Sequence, residues 1–396
     1  NQLGYHYLFP DDGSGPDYET GKKYYDLSAR QNDQDGLFYT GVIYGQGWGT
    51  EKDSIKAITY YKKALEQGSA RAAYNLAVLY TYGDAEIRQN LDKGLDYFCQ
   101  AAELGYEGAA DLMNDIGVKI LNGDGFAQDP VLALTWYKKA ADAGSVYACN
   151  NLAYLYSHHP VKEIEQDMEQ ALACYEKAAD LGDENARTNM YTTAQNLLEG
   201  KDGLKKDPET ALLWFEAAAN RLHAPSMHML GLLYSDQQYQ TVIDPDLEKA
   251  VQWYELAADL GEFASMEKLG ALYSNENSEY LNYEKAFQRY AEAADACDPE
   301  NAKELSLIAA HINNIGVNCS VDAESEAYHP DLAFRAYSKA AELGLKEGVS
   351  NLAKAYGIGF GTEKNPDKAN SLLDQTGYTG NRDNTFENAA WTRAKT

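Results

Sequence analysis

The chain is poor in cysteine and in basic residues, and it lacks any long hydrophobic run. It has five cysteines in 396 residues, and 34 Lys and Arg against 61 Asp and Glu, which gives a formal net charge of -27. No apolar run approaches the length that spans a bilayer, so we predict no transmembrane segment. The excess of acid argues against binding to nucleic acid or an anionic membrane. It favours a partner with a basic surface, or serves solubility alone.

The sequence also lacks a recognisable linker. A globular chain of this length would divide into two or three domains, yet no Pro- or Ser-rich segment interrupts it. Residue 1 is not methionine and falls inside a helical pattern, so we expect a fragment or a processed form. No signal peptide can be read, which leaves export undecided and the localisation unknown.

What the chain does contain is a repeated helix end, aromatic-x-x-Ala-x-x-x-Gly or a close variant. Successive copies end 36 to 47 residues apart. A period of this size is typical of stacked repeats, in which no single unit has its own core. The copies are YKKALEQG (61–68), FCQAAELG (98–105), YKKAADAG (137–144), YEKAADLG (175–182), FEAAANRL (215–222), YELAADLG (254–261), YAEAADAC (290–297) and YSKAAELG (337–344).

A second block precedes the first in each unit. It places a small residue three positions before a tyrosine, as in LAVLY (76–80) and LGLLY (230–234), with apolar residues at helical spacing. A short segment such as GDGFAQD (123–129) joins the two blocks. The unit is therefore helix A, tight turn, helix B. We expect the repeated alanines at helix crossings and the glycines just past helix B, in the left-handed conformation.

With these blocks in register, the chain resembles the Sel-one-like repeat (SLR) family, relatives of tetratricopeptide repeats. The family pattern is matched closely by 109–144 and 224–261, and with few departures by 36–68 and 348–369. The resemblance implies an all-α, right-handed superhelical solenoid of about nine to ten helix-turn-helix repeats. It also implies a protein that acts as an adaptor or scaffold.

The register divides residues 1–377 into ten approximate units of a single solenoid. Residues 378–396 follow as a tail or capping segment. The units are 1–32, 33–68, 69–105, 106–144, 145–182, 183–222, 223–261, 262–297, 298–344 and 345–377.

Two kinds of departure from the average repeat predict local differences. The intervals from Gly105 to Gly117 and from Gly182 to Ala194 are 12 residues, where most copies have 9, which predicts a helix A about one turn longer. The longest unit carries its excess in 311–331, which we expect to project as a loop from one rim. Such insertions often mark binding edges, and drift is the alternative.

The cysteines are Cys99, Cys149, Cys174, Cys297 and Cys319. One SLR subgroup joins a helix B cysteine to one in the following helix A. Cys149 has the second of these positions, but Ala141 stands at the first. The resemblance therefore implies unpaired thiols, which lean slightly toward a reducing compartment.

Segments that look like catalytic motifs are better explained as turns. GQGWGTEK (45–52) and GIGFGTEK (357–364) are rich in glycine, but a phosphate loop needs a preceding strand and a Lys-Ser/Thr pair opening a helix. The pairs His158–His159 and His223–His228 do not place two imidazoles on one helix face beside a third ligand, as zinc would require. We therefore predict a non-enzymatic protein with no catalytic residues, no metal site and no cofactor.

The best candidate for a binding surface is helix A, which in a solenoid of helical hairpins lines the concave side. Positions two before, one before and two after the repeated leucine should face that groove. Asparagine and aromatic side chains prevail there, and they suit an extended peptide or a partner helix. The alternative is that they are ordinary solvated positions. The predicted partner-binding residues are Phe38, Tyr74, Asn75, Asn114, Asp115, Asn150, Asn151, Tyr154, Tyr191 and His228.

Two functions follow from these expectations. The first is a non-enzymatic adaptor that holds another protein or an extended peptide on this surface. The second is an inhibitor or immunity protein that caps a toxin or a secreted effector enzyme, since an acidic surface can cover a basic active-site mouth. The sequence leaves open the partner, the oligomeric state and whether the groove or the 311–331 loop binds.

Overall fold

A computed structural model describes residues 1–10, 15–158, 161–239, 243–321 and 327–375. Within these ranges the regular structure is entirely helical, with twenty α-helices and one short 3-10 helix, Gln237–Tyr239. The all-α fold of helix-turn-helix repeats is thus confirmed, whereas the handedness of the superhelix stays a prediction. The predicted tail or cap, 378–396, lies outside the described residues.

The helices belong to two compact units, Asn1–Lys206 and Asp207–Thr396. In the first unit odd-numbered helices are helix A and even-numbered helices are helix B. The helices of this unit are α1 (Gln2–Leu8), α2 (Tyr18–Arg30), α3 (Gln34–Gln46), α4 (Ser54–Glu66), α5 (Ala70–Tyr82), α6 (Leu91–Glu103), α7 (Ala109–Asn122), α8 (Pro130–Asp142), α9 (Val146–His158), α10 (Met168–Asp180) and α11 (Glu184–Glu199).

The second unit begins with a helix B and continues with four helix A–helix B pairs. Each helix packs against its neighbours in the chain order. These helices are α12 (Pro208–Ala219), α13 (Ala224–Ser235), α14 (Leu247–Asp259), α15 (Phe263–Ser274), α16 (Tyr283–Ala296), α17 (Ala302–Asn318), α18 (Pro330–Glu342), α19 (Lys346–Ile358) and α20 (Pro366–Gln375).

The turn between helix A and helix B is built the same way in most repeats. An Asp or Asn caps helix B by accepting a hydrogen bond from the backbone N–H three residues later, as Asn90 does from Lys93 at 2.9 Å. The backbone N–H of Asn90 donates to the carbonyl of Tyr80 at 2.7 Å, and the Lys93 ammonium lies 5.3 Å from the Tyr80 ring centroid. This turn ties the start of helix B to the end of helix A.

The crossing of the two helices depends on small residues, as the sequence predicted. A Cβ added to Gly231 would lie 2.4 Å from the ring of Tyr254, and one added to Gly117 would lie 2.9 Å from the ring of Tyr137. The repeated alanines of helix B are fully buried, and a Cβ added to Gly348 of the following helix A would lie 2.8 Å from the Cβ of Ala340. These alanines are Ala64, Ala101, Ala140, Ala178, Ala257 and Ala340.

Helix B ends in a left-handed residue, also as predicted. The glycines at 68, 105, 144, 182, 261 and 344 have φ between 80° and 95°. Three described repeats lack glycine at this point. The left-handed residue is Asn32 (φ 58°) in one and Leu222 (φ 63°) in another, whereas the repeat of α16 ends at Cys297 with φ -68° and has no left-handed residue there.

Only one of the two predicted helix extensions is present. Helix α11 has 16 residues, whereas α7 has 14, close to the 12 or 13 of most helices A. The prediction for α7 is wrong because Gly108 adopts φ 81° and becomes the N-cap of α7. The additional residues therefore form a longer turn after α6.

The predicted loop at 311–331 is largely helical. Residues 311–318 complete α17, which has 17 residues, and Pro330 and Asp331 begin α18. The helix continues because Ile308, Ile312 and Ile315 recur at helical spacing and are buried. The connection is thus confined to 319–329, of which 322–326 lie outside the described residues.

None of the helices in the described ranges is long and apolar enough to cross a membrane. All five cysteines are free thiols. The glycine-rich segments that follow α3 and α19 are turns, with Gly47 and Gly359 left-handed at the helix ends, and no described strand precedes them.

Candidate functional site

Helix α9 is almost uncharged in a chain of net charge -27. It contains no Asp, Glu, Lys or Arg, and His158 is its last residue. Two of its tyrosines are exposed, Tyr147 by 64% and Tyr154 by 51%. They are seven residues apart and so share one face of the helix. Exposed tyrosines without neighbouring charges are typical of the central part of a protein interface.

Two asparagines lie between these tyrosines and join α9 to both neighbouring helices A. Asn151 Nδ2 donates to Asn114 Oδ1 of α7 at 2.8 Å, and Asn150 Nδ2 donates to Asp183 Oδ2, at the start of α11, at 2.6 Å. Asn114 is only 5% exposed. The expectation that Asn114 faces the groove is therefore wrong, because its side chain belongs to the seam between α7 and α9.

The same amide pairing recurs in the second unit. Asn351 Nδ2 of α19 donates to Asn313 Oδ1 of α17 at 3.0 Å. The asparagines thus serve first to hold successive helices A together. Only the polar atoms that this pairing does not use remain available to bind a partner.

A cleft of about 290 Å³ opens beside α9. Its wall is mainly apolar, and Asn151 and Tyr154 stand at its edge on the α9 side. The last two residues of α7, the turn between α7 and α8, helix α8, and Val161 supply the rest. The lining residues are Leu121, Asn122, Gln128, Pro130, Tyr137, Asn151, Tyr154, Leu155 and Val161.

Tyr154 is held in place by the end of its own helix. Its ring stacks on His158, with the centroids 4.7 Å apart. His158 Nδ1 lies 2.7 Å from Ser157 Oγ, and its Nε2 lies 3.2 Å from Asp202 Oδ2. The tyrosine is therefore an ordered aromatic surface at the edge of the cleft, which lowers the entropy cost of using it as a contact.

Asp115 supplies a negative charge next to this cleft. It is exposed on α7, and Asn114 Nδ2 lies 3.5 Å from its Oδ1. Since Asn114 also accepts from Asn151, Asp115 is linked to the edge of the cleft through two amides. Among the described residues it has no ion-pair partner.

The predicted residues on α3 and α5 are mostly engaged within the fold. Phe38 is 8% exposed, and the Arg71 guanidinium lies 4.4 Å from its ring centroid, so the expectation that Phe38 faces a partner is wrong. Tyr74 is half-buried and stacks on Tyr106 at 4.4 Å. Asn75 is half-buried next to Leu76, a core residue.

The last two predicted residues do not line the cleft. Tyr191 of α11 accepts a hydrogen bond on its hydroxyl from Gln195 Nε2 at 2.8 Å. His228 belongs to the second unit, where its Nδ1 lies 2.8 Å from Ser265 Oγ. Burial, and to a lesser degree the charge of Lys268, lowers the pKa of His228 to about 4, so its imidazole is neutral at pH 7. The structure thus brings together Asn114, Asp115, Asn150, Asn151 and Tyr154, and no others of the predicted set.

Sequence reasoning missed Tyr147 and most of the cleft wall. Tyr147 lies five residues before the repeated leucine of α9, outside the positions used for the prediction. The absence of charge along α9 was the signal that could have found it. Leu121 lies at the end of α7 and Val161 lies outside the helices, and no periodic pattern shows how closely either residue approaches α9.

The described residues contain neither a cluster of metal ligands nor a cysteine whose thiol pKa is lowered. No group of three or more His, Cys, Asp or Glu in these ranges is placed to hold a metal ion. Burial raises the pKa of the Cys174 thiol to about 11 and that of Cys319 to about 12. These thiols are protonated at neutral pH and are poor nucleophiles.

Comparison with known proteins gives one family. A sequence model of the Sel1 repeat matches eight segments that together cover more than half of the chain. The segment 263–346 is not matched, although α15 to α18 form two helix A–helix B pairs there. The matches are 1–33, 34–69, 70–106, 110–145, 146–183, 190–221, 224–262 and 347–375.

Two curated proteins of Schizosaccharomyces pombe are similar to parts of the chain. An uncharacterized Sel1-like repeat-containing protein is 42% identical over 62 residues, which are 15% of this chain and 9% of that protein. Chitin synthase regulatory factor 3 is 26% identical over 238 residues, which are 56% of this chain and 24% of that protein. The chain therefore corresponds to less than a quarter of either relative.

Among solved structures, a protective antigen of uropathogenic Escherichia coli that displays an SLR fold is 26% identical. The match covers 95% of this chain and 75% of that one, with a TM-score of 0.37.

Proposed function

Because this chain belongs to the Sel1 repeat family, we propose that it is a non-enzymatic adaptor that binds a partner protein or an extended peptide. The binding surface is the face of α9 between Tyr147 and Tyr154, together with the cleft beside it and Asp115 of α7. Sel1 repeats form a helical scaffold that is typical of protein–protein interaction.

One observation carries the choice of surface, namely the uncharged face of α9. In so acidic a chain, solubility alone would place carboxylates on an exposed helix, yet α9 exposes two tyrosines. Tyrosine is enriched among residues that dominate binding energy, because it buries a large rigid ring while its hydroxyl remains able to hydrogen-bond. The asparagine pairs on both sides fix the spacing of α7, α9 and α11 under this face.

The test is a binding measurement with a partner captured by the intact chain and then purified. We expect the double variant Tyr147→Ala/Tyr154→Ala to bind that partner at least tenfold more weakly, since an aromatic contact at the centre of an interface is worth about 2 kcal/mol or more. Isothermal titration calorimetry gives the affinity.

The matched control is the double variant Leu213→Ala/Leu256→Ala. These leucines are 58% and 48% exposed on helices B of the second unit, so their loss also removes exposed apolar surface. This control should bind as the unmodified chain does. Unchanged affinity in the tyrosine variant would contradict the assignment of the surface. An enzyme as partner, with its activity abolished on binding, would instead support the inhibitor hypothesis.

A further inference from the structure

We propose that the cleft beside α9 and Asp115 together form a subsite for one kind of peptide segment. The segment carries a large apolar side chain next to a lysine or arginine. This inference rests on the proposed function, and it names the chemistry that the surface recognises.

The apolar part of the segment is selected by the cleft wall. Leu121, Tyr137, Leu155 and Val161 line a volume of about 290 Å³ that is open on one side. A dry apolar cavity of about 150 Å³ is enough to hold benzene, so this cleft has room for a phenylalanine, leucine or methionine side chain. Charged side chains are absent from its lining, which disfavours a polar occupant.

The backbone of the segment can donate a hydrogen bond to Asn151 at the edge of the cleft. Asn151 uses its Nδ2 to donate to Asn114. That hydrogen bond fixes the orientation of the amide, and Asn151 Oδ1 accepts no hydrogen bond within the described residues. A peptide N–H beside the apolar anchor is the donor that suits it.

The charged groups around the cleft determine which charge a bound segment carries next to its apolar side chain. Asp111 and Asp115 lie on the neighbouring helix α7, and Asp111 is already held by the Ser145 hydroxyl at 2.7 Å. The ammonium of Lys119, also on α7, lies 5.8 Å from the Tyr82 ring centroid, and His158 faces Asp202. Asp115 is therefore an exposed charge of α7 without an ion-pair partner in the described residues. Asp124, Lys162 and Glu163 are also exposed and flank lining residues of the cleft, so acidic groups outnumber the one lysine and favour a cation on the segment.

The experiment is selection of a random nine-residue peptide library on the full chain, followed by fluorescence polarisation with the enriched peptides. We expect the enriched peptides to share a large apolar residue adjacent to Lys or Arg. Replacing the apolar residue by Ala should weaken binding at least tenfold, because a buried side chain of this size contributes more than one factor of ten. Replacing the Lys or Arg by Glu should weaken it roughly two- to fivefold, as an exposed ion pair allows.

Two variants of the chain separate the two parts of the subsite. Val161→Trp places a bulky side chain at the cleft wall, in the segment after α9, and should abolish peptide binding. Asp115→Asn should leave the apolar preference intact and remove the preference for Lys or Arg. Leu213→Ala is the control, and circular dichroism verifies that each variant is folded.

Enriched peptides without the apolar–basic pair, no enrichment at all, or equal affinities for Val161→Trp and the unmodified chain would each overturn the proposal. The proposed function fails separately. If binding of the partner still requires Tyr147 and Tyr154 while Val161→Trp does not change peptide affinity, the proposed surface is supported and the proposed subsite is refuted. If replacing the two tyrosines does not change the affinity for the partner either, both the surface and the subsite are refuted.

Discussion

Leu222 occupies a backbone conformation that most other repeats give to glycine. Its φ is 63° at the end of helix B, where the corresponding glycines of other repeats have φ between 80° and 95°. A left-handed conformation costs a residue with a Cβ about 1–2 kcal/mol. The Leu222 side chain is 65% exposed, so burial recovers little of that cost. This repeat therefore carries local strain that its neighbours lack.

We predict that Leu222→Gly raises the free energy of unfolding by about 0.5–1 kcal/mol, because relief of the strain exceeds the added entropy of glycine in the unfolded chain. Urea denaturation followed by circular dichroism measures it. Leu260→Gly is the control, since Leu260 is similarly exposed at a helix end but has φ -89°, and that variant should lose stability. A Leu222→Gly variant no more stable than the unmodified chain would contradict the prediction.

At the scale of the element, the N-cap decides where helices begin. Asp33 is the cap of α3, and its carboxylate accepts from Asn1 Nδ2 at 2.6 Å, the Gly36 N–H at 2.8 Å and the Ser28 hydroxyl at 3.0 Å. The hydrogen bond from Asn1, followed by that from the Gly36 N–H, lowers the pKa of Asp33 below its ordinary value. Asn serves as an N-cap too, as Asn90 does for α6 and Asn282 for α16, both helices B.

We predict that Asp33→Ala lowers the free energy of unfolding by about 1 kcal/mol at pH 7. Since the folded-state pKa is depressed, this contribution is complete above the unfolded pKa of about 3.9 and is lost as the pH falls through the folded value. The difference between the two proteins should therefore shrink below about pH 4. Urea titrations at pH 7 and at pH 3 measure it.

Asp33→Asn is the matched control, because it keeps an oxygen for the Gly36 N–H and removes the titrating charge. It should retain most of the stability at pH 7. A loss for Asp33→Asn equal to that of Asp33→Ala would show that the charge, rather than the cap, is what matters.

At the scale of the whole molecule, stability is distributed over the repeats of each unit. Within each of the two units every helix packs mainly on its sequence neighbours, so the free energy of unfolding of a unit is close to a sum over its repeats and their interfaces. A substitution at one helix crossing is then felt locally, and a single global midpoint describes such a chain poorly.

We predict that Gly231→Ala lowers local stability by about 1–3 kcal/mol, because the new Cβ overlaps the buried ring of Tyr254. Hydrogen exchange should accelerate in α13 and α14, while α19 and α20 of the same unit keep their rates. Gly45→Ala is the control, since its Cβ would meet the Ala57 Cβ at an ordinary 3.5 Å. Equal acceleration throughout the unit would contradict the local response.

The candidate surface was only partly predictable, as α7 and α9 illustrate. Asn114 and Asp115 are adjacent in the sequence and were assigned the same role, yet one is buried in an amide pair and the other is exposed. The pair depends on Asn151, 37 residues further on. Spacing along one helix tells which face a residue occupies, but not which side chain of the next repeat it meets.

The sequence by itself determined the repeat, the helix pairing, the small residues at crossings and the left-handed helix ends, because each follows from local periodicity or from backbone sterics. Only the tertiary structure decided that Gly108 ends the extension of α7, that Asn114 pairs with Asn151, and that α7, α8 and Val161 form a cleft beside Tyr154. These features depend on which distant residues come into contact when repeats stack, and repeats of nearly equal sequence can differ there at little cost to the fold.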